Sequence, residues 1–494
     1  MLLLGIDVGT SSIKVSIIDS ATQKNIVSAQ YPEVESAIIA EQPGWAEQKP
    51  EMWWQHVQEA IKKAIAQGGF KASDIGAMGI AYQMHGLVLV DKDQKVLRNA
   101  IIWCDSRAVA IGNEALGAIG EVKCLSNMLN SPGNFTASKL AWVKTHEPEC
   151  YDRIHKFMLP GDYIGMKLTG EISTSIAALS EGIFWDFKNE EISKDILSYF
   201  QFDSSLFPDV LPVFAEHGKL KPDVAAQLGL RAGIPLTYKS GDQPNNALSL
   251  NVMNPGEVAA TAGTSGVIYG ISDQLVYDPA SRVNTFAHVN YKIAQQRVGV
   301  LLCINGTGIM NRWIKNNFAA GISYAEMNAA GRRVPVGSDG LKVLPFGNGA
   351  ERMLHNQIVG AHFHDIDLNK HGQAHIFRAA QEGIAFAFRY GLDIMRENGM
   401  NPTVIRAGKA NLFLSDVFTE AFVNATQVPA ELFLNDGSVG AAVGAGIGIS
   451  VFSSEKEAFS KMEPVKLIEP KQMEIFETLY QEWKQVLERQ LQAI

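Results

Sequence analysis

The chain has 494 residues, with 52 acidic side chains against 43 basic ones and a formal net charge of −9. There is no basic excess to neutralise a phosphate backbone, which argues against a nucleic-acid partner but leaves room for a small anionic nucleotide in a local site. The length exceeds one ordinary core, and a hydrophobic content of 46% fits a soluble globular protein, so two domains are expected.

Residues 2–28 alternate or are β-branched and read as two or three strands of a meander, with Gly9-Thr10-Ser11 at the first turn. Pro50 suits a first helical position, and Trp54, Val57, Ile61 and Ile65 then recur at helical spacing through Gln67. Ile75 to Ala81 and Leu87 to Val90 read as strands that flank Gln83-Met84-His85-Gly86, which places those four residues on a loop at strand ends. A helix is expected from Phe135 to His146, stopped by Pro148, and a short strand from Leu236 to Ser240 leads into Gly241-Asp242. Composition turns small and glycine-rich there, so the boundary is placed near residues 231–239, giving domains 1–238 and 239–494. In the second half Gly263-Thr264-Ser265 again sits between two apolar runs, a helix is expected from Ala374 to Asn398 with Gly399 as its stop, and a long amphipathic helix carrying Phe476, Leu479, Trp483, Val486 and Leu487 closes the chain.

The repeated Gly-Thr-Ser turn is the main chemical signal. Such a turn offers backbone N–H groups without Cβ obstruction, plus two hydroxyls, and suits close approach to phosphate oxygens. One turn of this kind is common in ordinary sheets. Two, one per half, suggest a duplicated fold that grips one polyphosphate from both sides. Asp7 before the first turn reads either as an acid that holds Mg²⁺ or as a turn aspartate, and Lys14 after it as a phosphate partner or a solvated strand lysine. Asp242 reads equally as a base for an alcohol or as a helix cap, and His85 as a polyol ligand or a structural histidine. His362, His364, His371 and His375 lack a matching acidic or cysteine set for a metal, and Cys104, Cys124, Cys150 and Cys303 have neither metal nor redox spacing. The opening segment is too short for a signal peptide and contains Asp7, and no apolar run is long enough to span a bilayer, so a cytoplasmic location and no membrane partner are expected.

Several stretches, taken in order, resemble the FGGY family of carbohydrate kinases. They are GIDVGTSSIKV, PGWAEQKPEMWW, AYQMHGLVLVD, IIWCDSRA, PGNFTASKLAWVKTHEPE, MLPGDYIGMKLTGE, GDQPNNA, AGTSGV and AGKANLFLS followed by DGSVGAAVGAG, and together they cover roughly residues 1–450. The resemblance implies an α/β chain of two ribonuclease-H-like domains, of the actin and hexokinase type, with the active site in the cleft between them. It implies ATP and Mg²⁺ as cofactors, a small-molecule sugar as the other partner, and a homodimer as the family's common habit.

Residue by residue, Thr10, Ser11, Ser12 and Lys14 match the first nucleotide-phosphate loop and Asp7 the Mg²⁺-associated acid. Gly263 and Thr264 match the second phosphate loop, Gly308 and Arg312 a nucleotide-contacting helix start, and Gly408 and Asn411 the adenine-side loop. Asp242 matches the catalytic base, Met84 and His85 match the sugar-contacting pair of the branch that acts on D-xylulose, and Trp103 and Asp105 lie in the adjacent loop, where Asp105 is expected as a further sugar-binding residue. Gln243, which should lie beside the sugar, stands where that branch has Asn, and Ala407-Gly408-Lys409-Ala410-Asn411 replaces its usual run of glycines; both features resemble the glycerol branch. That branch, however, carries Arg-Glu where this chain has Met84-His85, a less charged pair that leaves a larger pocket. The expected reaction is phosphorylation of the terminal hydroxyl of a ketose, D-xylulose first, with another ketose, a polyol or glycerol as the alternative. An actin- or chaperone-like ATPase would share the phosphate turns but not the two sugar-side loops. A catalytically idle sugar sensor would not need Asp7, Asp242 and both turns together.

Overall fold

The computed structural model describes every residue except Asn435. Two mixed sheets form the frame. The first has five strands in the order Leu236–Gly241, Ile75–Tyr82, Leu2–Val8, Ile13–Asp19, Asn25–Tyr31. The last three form an antiparallel meander, while Ile75–Tyr82 runs parallel to Leu2–Val8 and Leu236–Gly241 runs parallel to Ile75–Tyr82. The second sheet has seven strands in the order Asn284–Ala287, Val298–Ile304, Gly266–Ser272, Glu257–Ala262, Val404–Gly408, Ala430–Phe433, Lys466–Ile468. Its middle five repeat the order and directions of the first sheet. The duplication is the one the paired turns suggested, and the arrangement is the ribonuclease-H-like one that the family resemblance implied.

Side chains alternate across a strand, and Leu2–Val8 uses both of its faces. Leu2, Leu4, Ile6 and Val8 pack with Trp53, Val57 and Ile61 of the helix Pro50–Gln67. Burying each such side chain contributes roughly 1.5–3 kcal/mol, which fixes that helix against the meander. Leu3, Gly5 and Asp7 lie on the opposite face, which is covered by the helix Gly437–Gly448, a run of Gly, Ala, Ser, Val and Ile. A Cβ on Gly5 would collide with the carbonyl oxygen of Ser438. The small residues thus allow the helix to lie flush on the sheet. The same close approach brings the start of that helix to Asp7, where a Cβ on Gly437 would sit 2.5 Å from Asp7 Oδ2.

The expected domain boundary needs correction. Leu236–Gly241 is an edge strand of the first sheet, so a cut at 238/239 divides it, and the chain then returns to that sheet through Gly437–Gly448. Composition marks where glycines begin; it does not mark where sheet pairing ends. The expected helices lie at Pro50–Gln67, Thr136–His146, Gln373–Glu397 and Met473–Gln492. Among the described residues no helix is long and apolar enough to cross a membrane.

Candidate active site

Three loops of the first half meet at the C-terminal ends of the parallel strands. Ile75–Tyr82 ends in Gln83-Met84-His85-Gly86, and Leu236–Gly241 runs directly into the helix Asp242–Ser249, with Gly241 at its N-cap. Asp242 therefore sits in a first helical turn, partly buried. Burial, then the nearby charge of Asp7, pushes its carboxyl up to about 7, while the backbone N–H and side chain of Gln243 work in the opposite direction. Asp7 faces Lys14 across the first hairpin. Burial raises Asp7 to about 6, with Lys14 opposing and Asp436 adding to the shift. Asp436 caps the helix Gly437–Gly448, its Oδ1 accepting from Val439 N at 3.1 Å and from Ser438 Oγ at 2.7 Å.

His85 is held in one conformation and one tautomer. Its φ is +60°, a left-handed geometry that a non-glycine residue adopts at a cost of about 1–3 kcal/mol. Lys139 Nζ donates to the His85 carbonyl at 2.8 Å and to the Ile102 carbonyl at 3.0 Å, joining this loop to the one that carries Trp103. Lys139 is completely buried, and burial lowers it to about 7. The His85 ring lies 2.9 Å from the carbonyl oxygen of Glu181 through Nδ1, so that nitrogen carries the hydrogen and Nε2 is left as an acceptor. Burial, and then Lys139, hold the ring well below its usual range, at about 3, so it is neutral. Phe135 and Phe286 pack against it, the latter from the second sheet. Met84 is buried, with its side chain against Gly241.

The turn Gly9-Thr10-Ser11, expected to bind phosphate, is tied to these loops. Thr10 Oγ1 donates to Gln83 Oε1 at 3.1 Å and accepts from Trp103 Nε1 at 3.0 Å. Gln83 Nε2 donates to Gln48 Oε1 at 3.2 Å, and Gln48 Nε2 returns to the Thr10 carbonyl at 2.8 Å. The Thr10 hydroxyl is thus turned to the sugar-side loops, while Ser11 and Lys14 are exposed and Ser12 is half-exposed.

The nucleotide residues expected in the second half also gather. The backbone N–H groups of Gly308 and Ile309 donate to the carbonyls of Gly263 and Thr264 at 2.9 and 3.0 Å. A Cβ on Gly308 would collide with the Gly263 oxygen, so only glycine lets the helix Gly308–Phe318 seat on this turn. Arg312 is exposed on that helix. Asn411 follows the strand Val404–Gly408 with φ +52°, and its Nδ2 lies 3.6 Å from where a Cβ of Gly263 would be. Glu351, not singled out in the sequence, accepts from the N–H groups of Asn305 and Gly306 at 3.0 and 2.9 Å and supports the approach to that helix. The halves are stitched together by Asn130, whose Oδ1 accepts from Thr285 N at 3.1 Å, and by Ser180 Oγ, which accepts from Ala287 N at 2.9 Å.

Asp105 is a correction. It was expected to touch the sugar, but it is completely buried. Its oxygens accept from Ala46 N at 2.6 Å and from Arg107 N, Nε and Nη2 at 2.7–3.0 Å, and Arg107 itself lies 3.8 Å over the Trp45 ring. Asp105 braces the loop that presents Trp103, and its acceptors are all used. Gln243, expected beside the sugar, hydrogen-bonds Asp242, and its Oε1 is buried without a partner. Among the described residues no group of three His, Cys, Asp or Glu side chains could hold a metal; His371 and His375 instead turn to Asp339, at 3.2 and 3.3 Å.

The strand ends of the first half thus gather a raised carboxylate and a neutral histidine with one glycine turn, and the second half seats the other turn against the helix Gly308–Phe318. The FGGY family of carbohydrate kinases, N-terminal domain, matches residues 2–249, half of the chain. The protein belongs to that family. It is 29% identical to the xylulose kinase of Bacillus subtilis (strain 168), over 82% of this chain and 80% of that one, and 28% identical to the xylulose kinase of Escherichia coli (strain K12), over 93% and 92%. The crystal structure of xylulose kinase from Rhodospirillum rubrum superposes with a TM-score of 0.88 at 24% identity, covering 99% of both chains, a likeness of fold.

Proposed function

We propose that the protein transfers the γ-phosphoryl group of ATP to the terminal hydroxyl of D-xylulose, giving D-xylulose 5-phosphate. The observation that carries this reading is Asp242, a carboxyl raised to about 7 beside the Met84–His85 loop and in the field of Asp7. A base is most effective with a pKa near the working pH. Asp242 takes the hydroxyl proton as the oxygen attacks. The transition state is loose and little charge builds on the attacking oxygen, so positioning and charge neutralisation carry most of the effect. The Gly9–Ser11 and Gly263–Ser265 turns offer N–H groups to the phosphates, Lys14 adds a charge, and Gly408 and Asn411 border the adenine.

Mg²⁺ fits the donor set. Two carboxylates, Asp7 and Asp436, lie close enough for the charge of Asp436 to act on Asp7, and Mg²⁺ is usually held by one or two carboxylates with substrate phosphates and water. Asp7 would hold it, and its chemistry is to neutralise phosphate charge. His85 Nε2 accepts from a sugar hydroxyl, and Met84 supplies the apolar wall. We place the sugar and first phosphate turn on the first sheet and the rest of the nucleotide on the second.

The test is coupled ADP release with ATP and Mg²⁺ over ketopentoses, polyols and glycerol. Selective turnover of D-xylulose is expected. A preference for glycerol or a polyol would show that Gln243 and its neighbours outweigh the Met84–His85 pair. ADP release that no sugar or polyol stimulates would overturn the kinase reading.

A further inference from the structure

Glu181 ends the short helix Ile176–Glu181 and is 2% exposed. None of the roles described above uses its carboxyl, yet three sugar-side residues converge on it. A Cβ on Gly241 would lie 2.5 Å from Glu181 Oε2 and 2.6 Å from Met84 Cγ, so the carboxyl and Met84 press together against the residue before the base. The Glu181 carbonyl accepts the His85 ring hydrogen at 2.9 Å, and the backbone N–H of His85 and the Tyr82 hydroxyl both reach its carboxyl. Glu181 Oε1 is buried and has no hydrogen-bond partner. A buried polar atom is rarely left so unless something absent completes it.

Burial, then the charges of Asp242 and Asp162, hold the Glu181 carboxyl well above the usual range, so it keeps its proton. Two neighbouring carboxyl groups are thus set apart: Asp242 is the one that ionises near neutral pH, and Glu181 stays a neutral acid that can donate.

We propose that Glu181 is a further sugar-binding residue, whose carboxyl in the floor between His85 and Asp242 hydrogen-bonds one polar oxygen of the open-chain substrate and helps set which sugar is taken. This rests on the sugar-kinase reading. A site built to bond a substrate oxygen also rejects analogues that lack it, because its own buried group is then left unpaired.

The experiment compares the parent enzyme, Glu181→Gln and Glu181→Ala with D-xylulose and with its singly deoxygenated analogues. Expected for Glu181→Ala is a rise of about tenfold or more in sugar KM with ATP KM unchanged. Glu181→Gln, whose amide can donate as the acid does, stays within about threefold of the parent. One deoxy analogue that binds the parent poorly should bind Glu181→Ala no worse than D-xylulose does. Equal losses in sugar and ATP KM, an unchanged sugar KM in Glu181→Ala, or deoxy effects that simply add to the substitution would overturn the proposal. Should Glu181→Ala not fold, the analogue series on the parent and Glu181→Gln decides it: the two proteins are expected to single out the same analogue, and the absence of any penalised analogue overturns the proposal. Robust D-xylulose turnover by the parent alongside any of these outcomes leaves the kinase reading standing, whereas a parent inert toward every sugar and polyol removes that reading itself.

Discussion

The two Gly-Thr-Ser turns occupy equivalent places in two sheets that share five strands in the same order, yet their surroundings differ. In the first, the Thr10 hydroxyl is bonded to Gln83 and Trp103, residues of the loops to which the proposed function assigns the sugar. In the second, the Gly263 and Thr264 carbonyls are bonded to the start of the helix Gly308–Phe318. On the proposed reading, one copy of the motif is wired to the acceptor side and the other to the nucleotide side. Duplication would then supply the same anion-binding backbone twice, with the side chains packed around each copy dividing the work.

Gly308→Ala should break the second turn most severely. The new Cβ has no space against the Gly263 oxygen, so the helix start must lift, at a cost of roughly 1–3 kcal/mol. ATP KM should rise about tenfold or more while sugar KM stays near the parent value, which initial-rate kinetics and a thermal melt would show. Lys139→Met should do the opposite. It frees the His85 and Ile102 carbonyls and relaxes the left-handed His85, raising sugar KM about tenfold with ATP KM little changed. Equal effects of either variant on both substrates would erase the division of labour.

Thr10→Val sharpens the contrast. It keeps the backbone of the turn but loses both side-chain bonds, so sugar and ATP KM should each rise about threefold to fivefold, whereas Thr264→Val should move only the ATP value. The smallest effect is on pH dependence. Asp242, raised to about 7, accepts a proton only when ionised, so kcat/KM should fall as pH drops below about 7. Asp7 contributes to that raised value, so in Asp7→Asn the base ionises at lower pH and the limb should move to more acidic pH, whatever happens to the plateau.

Much of this was legible in the chain. The hairpins around Gly9 and Gly263, the helix at Pro50 and the strand leading into Asp242 all follow from local period and turn chemistry. What sequence pattern missed were contacts between distant segments. Glu181 meets His85 across 96 positions, and Lys139 meets it across 54. The stretch around each looks like ordinary helix, with no spacing that announces a site. Asp105 failed in the other direction. It sits in a motif beside the sugar loop, but Arg107 two residues on turns back to claim it, a side-chain choice that spacing does not encode. The domain boundary was misplaced because a strand belongs to the sheet it pairs with, and the glycine-rich composition begins before that pairing ends.

The central claim is that Asp242 activates a sugar hydroxyl for attack on ATP. Turnover of Asp242→Asn with D-xylulose, ATP and Mg²⁺, beside calorimetric binding of both substrates, tests it most directly. The account predicts a fall in kcat of about 100- to 10,000-fold with sugar and nucleotide affinity retained. Turnover at the parent rate, or ADP release in the parent enzyme that does not depend on sugar, would contradict it.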